Sequence, residues 1–154
     1  MTHSDRQGLV LPWNLAPVQI MIIPYNWTNP SLVQYVHTIM ASINHPFRMK
    51  INRRDQSFGY RIKAAVAQGI PVQIIVGLKN MQNQTVTINR RDLNQTFHLP
   101  TDKLRSTITA IVDNYDHNLL HKAQQRTQES TAQPQNWPDF QRACQRQKLI
   151  KMVF

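Results

Sequence analysis

The chain has 154 residues, enough for about one domain with a real core. Hydrophobic residues make up 41%, which suits a globular fold, yet no run of about eighteen apolar residues exists and no transmembrane helix is expected. Lys and Arg outnumber Asp and Glu by 18 to 8, so the net charge of +10 favours a polyanionic partner over an acidic small substrate.

Taken in chain order, residues 1–16 read as an irregular lead-in containing Pro12 and Asn14. Val18 to Ile23 is a nearly continuous apolar run ending at Pro24, which predicts a strand buried on both faces. It is too short and too far in to be the apolar part of a signal peptide. Asn29 is placed to cap a helix with Pro30 at its first position, and Leu32, Val33, Val36, Ile39, Met40 and Ile43 follow at helical spacing. Phe47, Met49 and Ile51 alternate with Arg48, Lys50 and Asn52, predicting a strand with a basic outer face. After a turn at Arg53 to Gly59, Tyr60 to Gln68 reads as a helix that Gly69 terminates and Pro71 prevents from resuming.

Val72 to Val76 predicts the next strand, the Lys79–Gln84 turn joins it to the alternating strand Thr85 to Asn89, and Thr96 to Leu99 suggests a further short one. Thr101 caps a long helix whose buried face carries Leu104, Ile108, Ile111, Val112, Tyr115 and Leu119. A polar, Gln-rich linker is expected at Gln124 to Gln135, then a short helix at Trp137 to Gln147 and an apolar end at Leu149 to Phe154. Strand and helix units followed by a hairpin and a long helix predict a three-layer α/β domain with a mixed sheet. Its core is expected to hold Ile20, Ile22, Leu32, Val36, Ile39, Ile74, Val76, Ile108, Ile111 and Val112.

The charge is localised. Between Arg48 and Arg91 nine cations face one acid, Asp55, so this stretch carries +8 of the +10. Arg53, Arg54, Arg61, Lys63, Lys79, Arg90 and Arg91 are the candidate RNA-binding residues, because guanidinium and ammonium groups neutralise phosphates and guanidinium also stacks on unpaired bases. Salt bridging of Arg90 and Arg91 to Asp92 or Asp55 is the competing use. No P-loop, dinucleotide glycine fingerprint or G-x-S-x-G element is present, and no catalytic residue is assigned. His117 and His121 are four apart beside Asp116, but two ligands do not make a zinc site, and no metal is assigned. The lone Cys144 has no intramolecular disulfide partner, which fits a reducing, cytoplasmic setting.

Gly59-Tyr60-Arg61, Gly69-Ile70-Pro71, Gly77-Leu78-Lys79 and Arg90-Arg91-Asp92, in that order, resemble the anticodon-binding domain of class II aminoacyl-tRNA synthetases, above all that of prolyl-tRNA synthetases. Met1 to Asp5 with Gly8 to Pro12 and Ala16 to Gln19 resembles that family's exit from its catalytic domain, and Arg126 to Thr131 before Trp137 its downstream linker. The resemblance implies a five-stranded mixed sheet flanked by helices. It divides the chain into a lead-in (1–16) from a missing catalytic domain, an anticodon-binding domain (17–133) and the start of a C-terminal extension (134–154).

The resemblance also implies a tRNA partner, proline tRNA foremost, with no membrane and a catalytic domain or partner chain elsewhere. ATP and Mg would belong to the parent ligase, so no cofactor is expected in this chain. Lys79 matches a lysine that contacts the anticodon, and Arg90 and Arg91 match paired basic residues. Three positions depart from the pattern: an acid is replaced by Val66, an arginine by Gln73 and a lysine by Gln95 or Thr96. The alternative is a free-standing RNA-binding or scaffolding module that has lost anticodon specificity.

Overall fold

A computed structural model describes residues 4–43, 47–146 and 148–151. Met1 to His3 and the last residues of the expected apolar end lie outside these. The chain falls into two compact units, 1–116 and 117–154.

The lead-in is not irregular. Ser4–Asp5 (β1) pairs antiparallel with Gly8–Leu9 (β2). Gly8 has φ +139°, and a Cβ there would stand 2.5 Å from Ala67 Cα, so only glycine lets this hairpin close on the neighbouring helix. Trp13 and Ala16 are buried beyond it, and Asp116 Oδ1 accepts from the Trp13 N–H at 2.7 Å.

Next come Ile20–Pro24 (β3), Pro30–Ile43 (α1), Met49–Ile51 (β4), Phe58–Ala67 (α2) and Val72–Val76 (β5). Asn29 Oδ1 accepts from the Leu32 N–H at 3.1 Å, the expected N-cap of α1. Gly69, at φ +72°, ends α2 in the left-handed conformation.

The expected turn after β5 holds a short helix, Leu78–Gln82 (α3). It leads to Thr85–Arg90 (β6) and Gln95–Pro100 (β7), which pair along six residues. Leu104–Ser130 (α4) runs through most of the segment expected to be a linker. No Gly or Pro interrupts it, and a Gln125–Glu129 hydrogen bond of 3.2 Å ties successive turns, so polar composition there marks an exposed helix. In the second unit Thr131–Ala132 (β8) pairs parallel with Leu149–Ile150 (β9), and Trp137–Gln145 (α5) packs on β9.

The main sheet has the order β4-β3-β5-β6-β7, with β4 and β5 parallel to β3 and the β6–β7 hairpin antiparallel. This is the expected mixed five-stranded sheet. The β3–α1–β4 and β4–α2–β5 crossovers step across the sheet in opposite directions, so right-handed connections put α1 and α2 on opposite faces. Ala65 of α2 packs with Met21, Ile23 and Ile70, the odd-numbered side of β3. The even-numbered Ile20, Ile22, Ile74, Val86 and Ile88 are fully buried with Leu32, Val36 and Ile39 of α1 and Leu104 and Ile108 of α4. Each such aliphatic side chain contributes about 1.5–3 kcal/mol on burial. Of the expected core only Val112 is half-buried. Among the described residues no helix is long and apolar enough to cross a membrane.

Candidate nucleic-acid interface

Alternation along β5, β6 and β7 gives the sheet two unlike faces. Register places Gln73 opposite Asn89 and Asn89 opposite Thr96, with Ile75 opposite Thr87 and Thr87 opposite His98. These side chains share a face with Met21 and Ile23, but α2 covers only the β3 side of it. Thr96 and His98 are exposed, Thr87 and Asn89 half-buried. The result is a polar strip of hydroxyl, amide and imidazole groups able to donate to and accept from base edges. Thr87 Oγ1 and His98 Nδ1 are 2.9 Å apart across the hairpin.

Lys79 stands at one end of this strip, exposed, on α3. Asn80 fixes α3: its Oδ1 accepts from the Gly77 N–H at 3.0 Å, and its Nδ2 donates to Thr85 and Thr87 Oγ1, both at 3.4 Å. Val66 sits half-buried on the flank of α2, and Gln73 is buried with its Oε1 unpartnered.

A second set of cations gathers at the carboxyl ends of β3 and β4. The Arg53 guanidinium lies 4.7 Å over the Trp27 ring, a cation–π contact that holds it in an extended, exposed loop. Arg54 is exposed beside it, as are Tyr25 and Tyr60, and Tyr25 leans on Phe58 with ring centroids 5.0 Å apart. Lys63 is exposed on α2.

Three arginines expected to face RNA are turned inward. Arg61, 5% exposed, donates to Asn52 O at 3.3 Å and Tyr25 O at 3.0 Å, tying the loops after β3 and β4 to α2. Arg91, 3% exposed, donates to both Asp5 carboxylate oxygens and to the carbonyls of Gly8 and Leu9. Arg90 points to the opposite face of β6 from the polar strip, opposite Val72, and forms a bidentate pair with Asp92 at 3.1 and 2.6 Å. Asp92 and Asp5 neutralise Arg90 and Arg91, and Arg61 is buried on backbone carbonyls, so the solvent-facing members of the expected set are Lys79, Arg53, Arg54 and Lys63.

Charge counting missed the polar strip and the aromatic residues. The signal was the threonine and asparagine side of the Thr85-Val86-Thr87-Ile88-Asn89 alternation, and Tyr25 and Trp27 directly after a fully buried strand. His117 and His121 are exposed, and among the described residues no group of three or more potential metal ligands assembles.

Comparison with known proteins fits this geometry. The family described as anticodon binding domain matches residues 19–111. A proline–tRNA ligase of Mesoplasma florum is 30% identical over 155 aligned positions, covering 100% of this chain and 33% of that protein. One from Amoebophilus asiaticus is 30% identical over 96% of this chain and 31% of its own length. The chain thus spans about a third of the length of these curated relatives. A crystal structure of prolyl-tRNA synthetase from Cryptosporidium parvum superposes with a TM-score of 0.87 at 25% identity, over 97% of this chain and 31% of that one.

Proposed function

As the chain belongs to the anticodon-binding-domain family, we propose that it binds the anticodon loop of a tRNA, that of proline foremost, and holds it for a prolyl-tRNA ligase. The half-uncovered sheet face carries this reading. Thr87, Asn89, Thr96 and His98 offer hydrogen-bonding groups to unstacked bases, Lys79 adds charge at the rim, and Arg53, Arg54 and Lys63 supply phosphate contacts around α2. These residues bind and orient; the ligase chemistry for which the relatives are named would lie outside them, so the chain alone neither forms an adenylate nor charges tRNA. A reducing, cytoplasmic setting belongs to the same reading, supported by the free, exposed Cys144.

The test is an anticodon stem-loop titrated into labelled protein. Shifts should gather on β6, β7 and Lys79. Shifts confined to α4 and α5 would overturn the proposal.

One observation favours a second reading, an RNA-binding or scaffolding module without anticodon specificity. Val66, Gln73 and Gln95 are uncharged where the resemblance implies charged base contacts, and Gln73 is 1% exposed. Equal binding of stem-loops with different anticodons would decide for it.

A further inference from the structure

α2 has two flanks. Ile62 and Val66 lie on one; Ala64 and Gln68 lie on the other and close a groove of about 340 Å³ against the edge strand β4. Its walls are Met21, Ala64 and Ala65, and its rim carries Lys50, Arg53 and Arg54 with the carboxamides of Gln56 and Gln68. No acid lines it; Asp55, in the same loop, does not contribute to the walls.

Two buried polar groups stand behind the rim. Asn52 is 8% exposed; its Oδ1 accepts from the Arg54 N–H at 3.2 Å, while its Nδ2 has only the Met21 thioether, 3.8 Å away. A thioether is a weak acceptor, so a good donor is left at the groove with capacity to spare. Arg61 is buried against backbone carbonyls, its Nε unpartnered. Its charge therefore adds to the positive potential of the loop beside the groove.

We propose that this groove is a second site, separate from the polar strip, that takes one nucleotide unit. The 5′-phosphate sits among Lys50, Arg53 and Arg54, and the base lies on Met21 and Ala64 with its edge toward Asn52. The volume is in the range of small-ligand sites, and an apolar floor, a few convergent amides and a cationic rim match the parts of a nucleotide. Arg53, held by Trp27, is pre-positioned for the phosphate. The occupant is either a free mononucleotide or a nucleotide of an RNA that also reaches the strip; both present the same chemistry.

The probe is AMP, titrated into labelled full chain while the amide signals of Asn52, Ala64 and Gln68 are followed. AMP should move all three, and adenosine should bind at least about tenfold more weakly, as expected on losing a charge-assisted contact of roughly 1.4 kcal/mol or more. Arg53→Gln with Arg54→Gln, both at exposed positions, should weaken AMP by a similar factor, and Ala64→Leu should block it by filling the groove. If an anticodon stem-loop displaces AMP, the occupant is a nucleotide of that RNA; if both bind together, it is the free nucleotide. Unmoved signals, or equal effects from inorganic phosphate alone, overturn the proposal. A stem-loop that fails to bind the strip while AMP still enters the groove would count against the anticodon reading and leave this site standing.

Discussion

Arg91 and Asp5, 86 positions apart, are joined by two hydrogen bonds of 2.6 and 2.7 Å, and the same guanidinium also donates to the carbonyls of Gly8 and Leu9. One buried cation thereby fastens the β1–β2 hairpin to the end of β6. Arg91→Ala removes the cation from these acceptors, leaving Asp5 the Gln7 N–H at 2.8 Å, and should lower stability in urea unfolding by about 3 kcal/mol, in the range for breaking a buried pair. A loss below about 1 kcal/mol would show that the hairpin is held by other contacts.

The pair also sets an acid limit. The hydrogen bonds from Arg91 chiefly hold the Asp5 carboxyl at about 2, below its ordinary 3.8. A depressed carboxylate contributes stability above its unfolded pKa and loses it as pH falls, here between about 4 and about 2. Asp5→Asn should therefore flatten the stability–pH curve in that window and leave its slope near neutrality unchanged. An acid slope identical to that of the parent chain would refute this.

RNA binding should separate the two kinds of arginine. Arg53→Gln with Arg54→Gln should flatten the dependence of log K on log salt by roughly one to two units, since each lost phosphate contact releases about one fewer counterion. Arg90→Gln should leave that slope unchanged, because its guanidinium is committed to Asp92 on the other face. A flattening at Arg90 instead would mean that this pair opens on binding.

Under the proposed function, specificity would rest on few charged contacts. Base-edge hydrogen bonds discriminate by about 1–3 kcal/mol each, and Val66, Gln73 and Gln95 offer no charged group for one. Preference for a proline anticodon should stay below about a hundredfold, and Lys79→Ala should remove much of it. Competition among stem-loops differing only in the anticodon measures both; strong discrimination surviving Lys79→Ala would assign the reading to the Thr87–His98 strip.

Tyr115 is fully buried with its hydroxyl unpartnered, and burial first, then the charge of Asp92, pushes the phenol well above its ordinary range. Tyr115→Phe removes a desolvated polar atom and keeps the ring against Trp13, 5.9 Å between centroids. Thermal melting should show no loss and up to about 1 kcal/mol of gain. A loss above that size would reveal a partner for the hydroxyl.

The hydrophobic pattern located most of the fold because burial is written in periodicity: Ile20, Ile22, Leu32, Val36 and Ile108 are all fully enclosed. The site was less legible because a charge count treats every arginine as solvent-facing. Arg61 lies three positions after Phe58 and four before Ala65, on the buried stripe of α2, and that spacing was the available sign of its inward turn. Little local marked Arg91, whose carboxylate partner, Asp5, comes from the far end of the chain. The extent of α4 is less legible: polar composition at Gln124 to Ser130 predicts a linker, but no helix-breaking residue stands there and the helix continues.

The two edges of the main sheet are guarded unequally. β4 offers only three residues, with exposed Lys50 at its centre, a short and charged rail to which a second strand gains little by adding. β7 runs for six residues, Gln95–Pro100, and carries no charged side chain; only Pro100 at its end lacks a backbone donor. Any strand-to-strand self-association of this domain would therefore start at β7, so solubility and the proposed recognition would compete for the same residues of this hairpin.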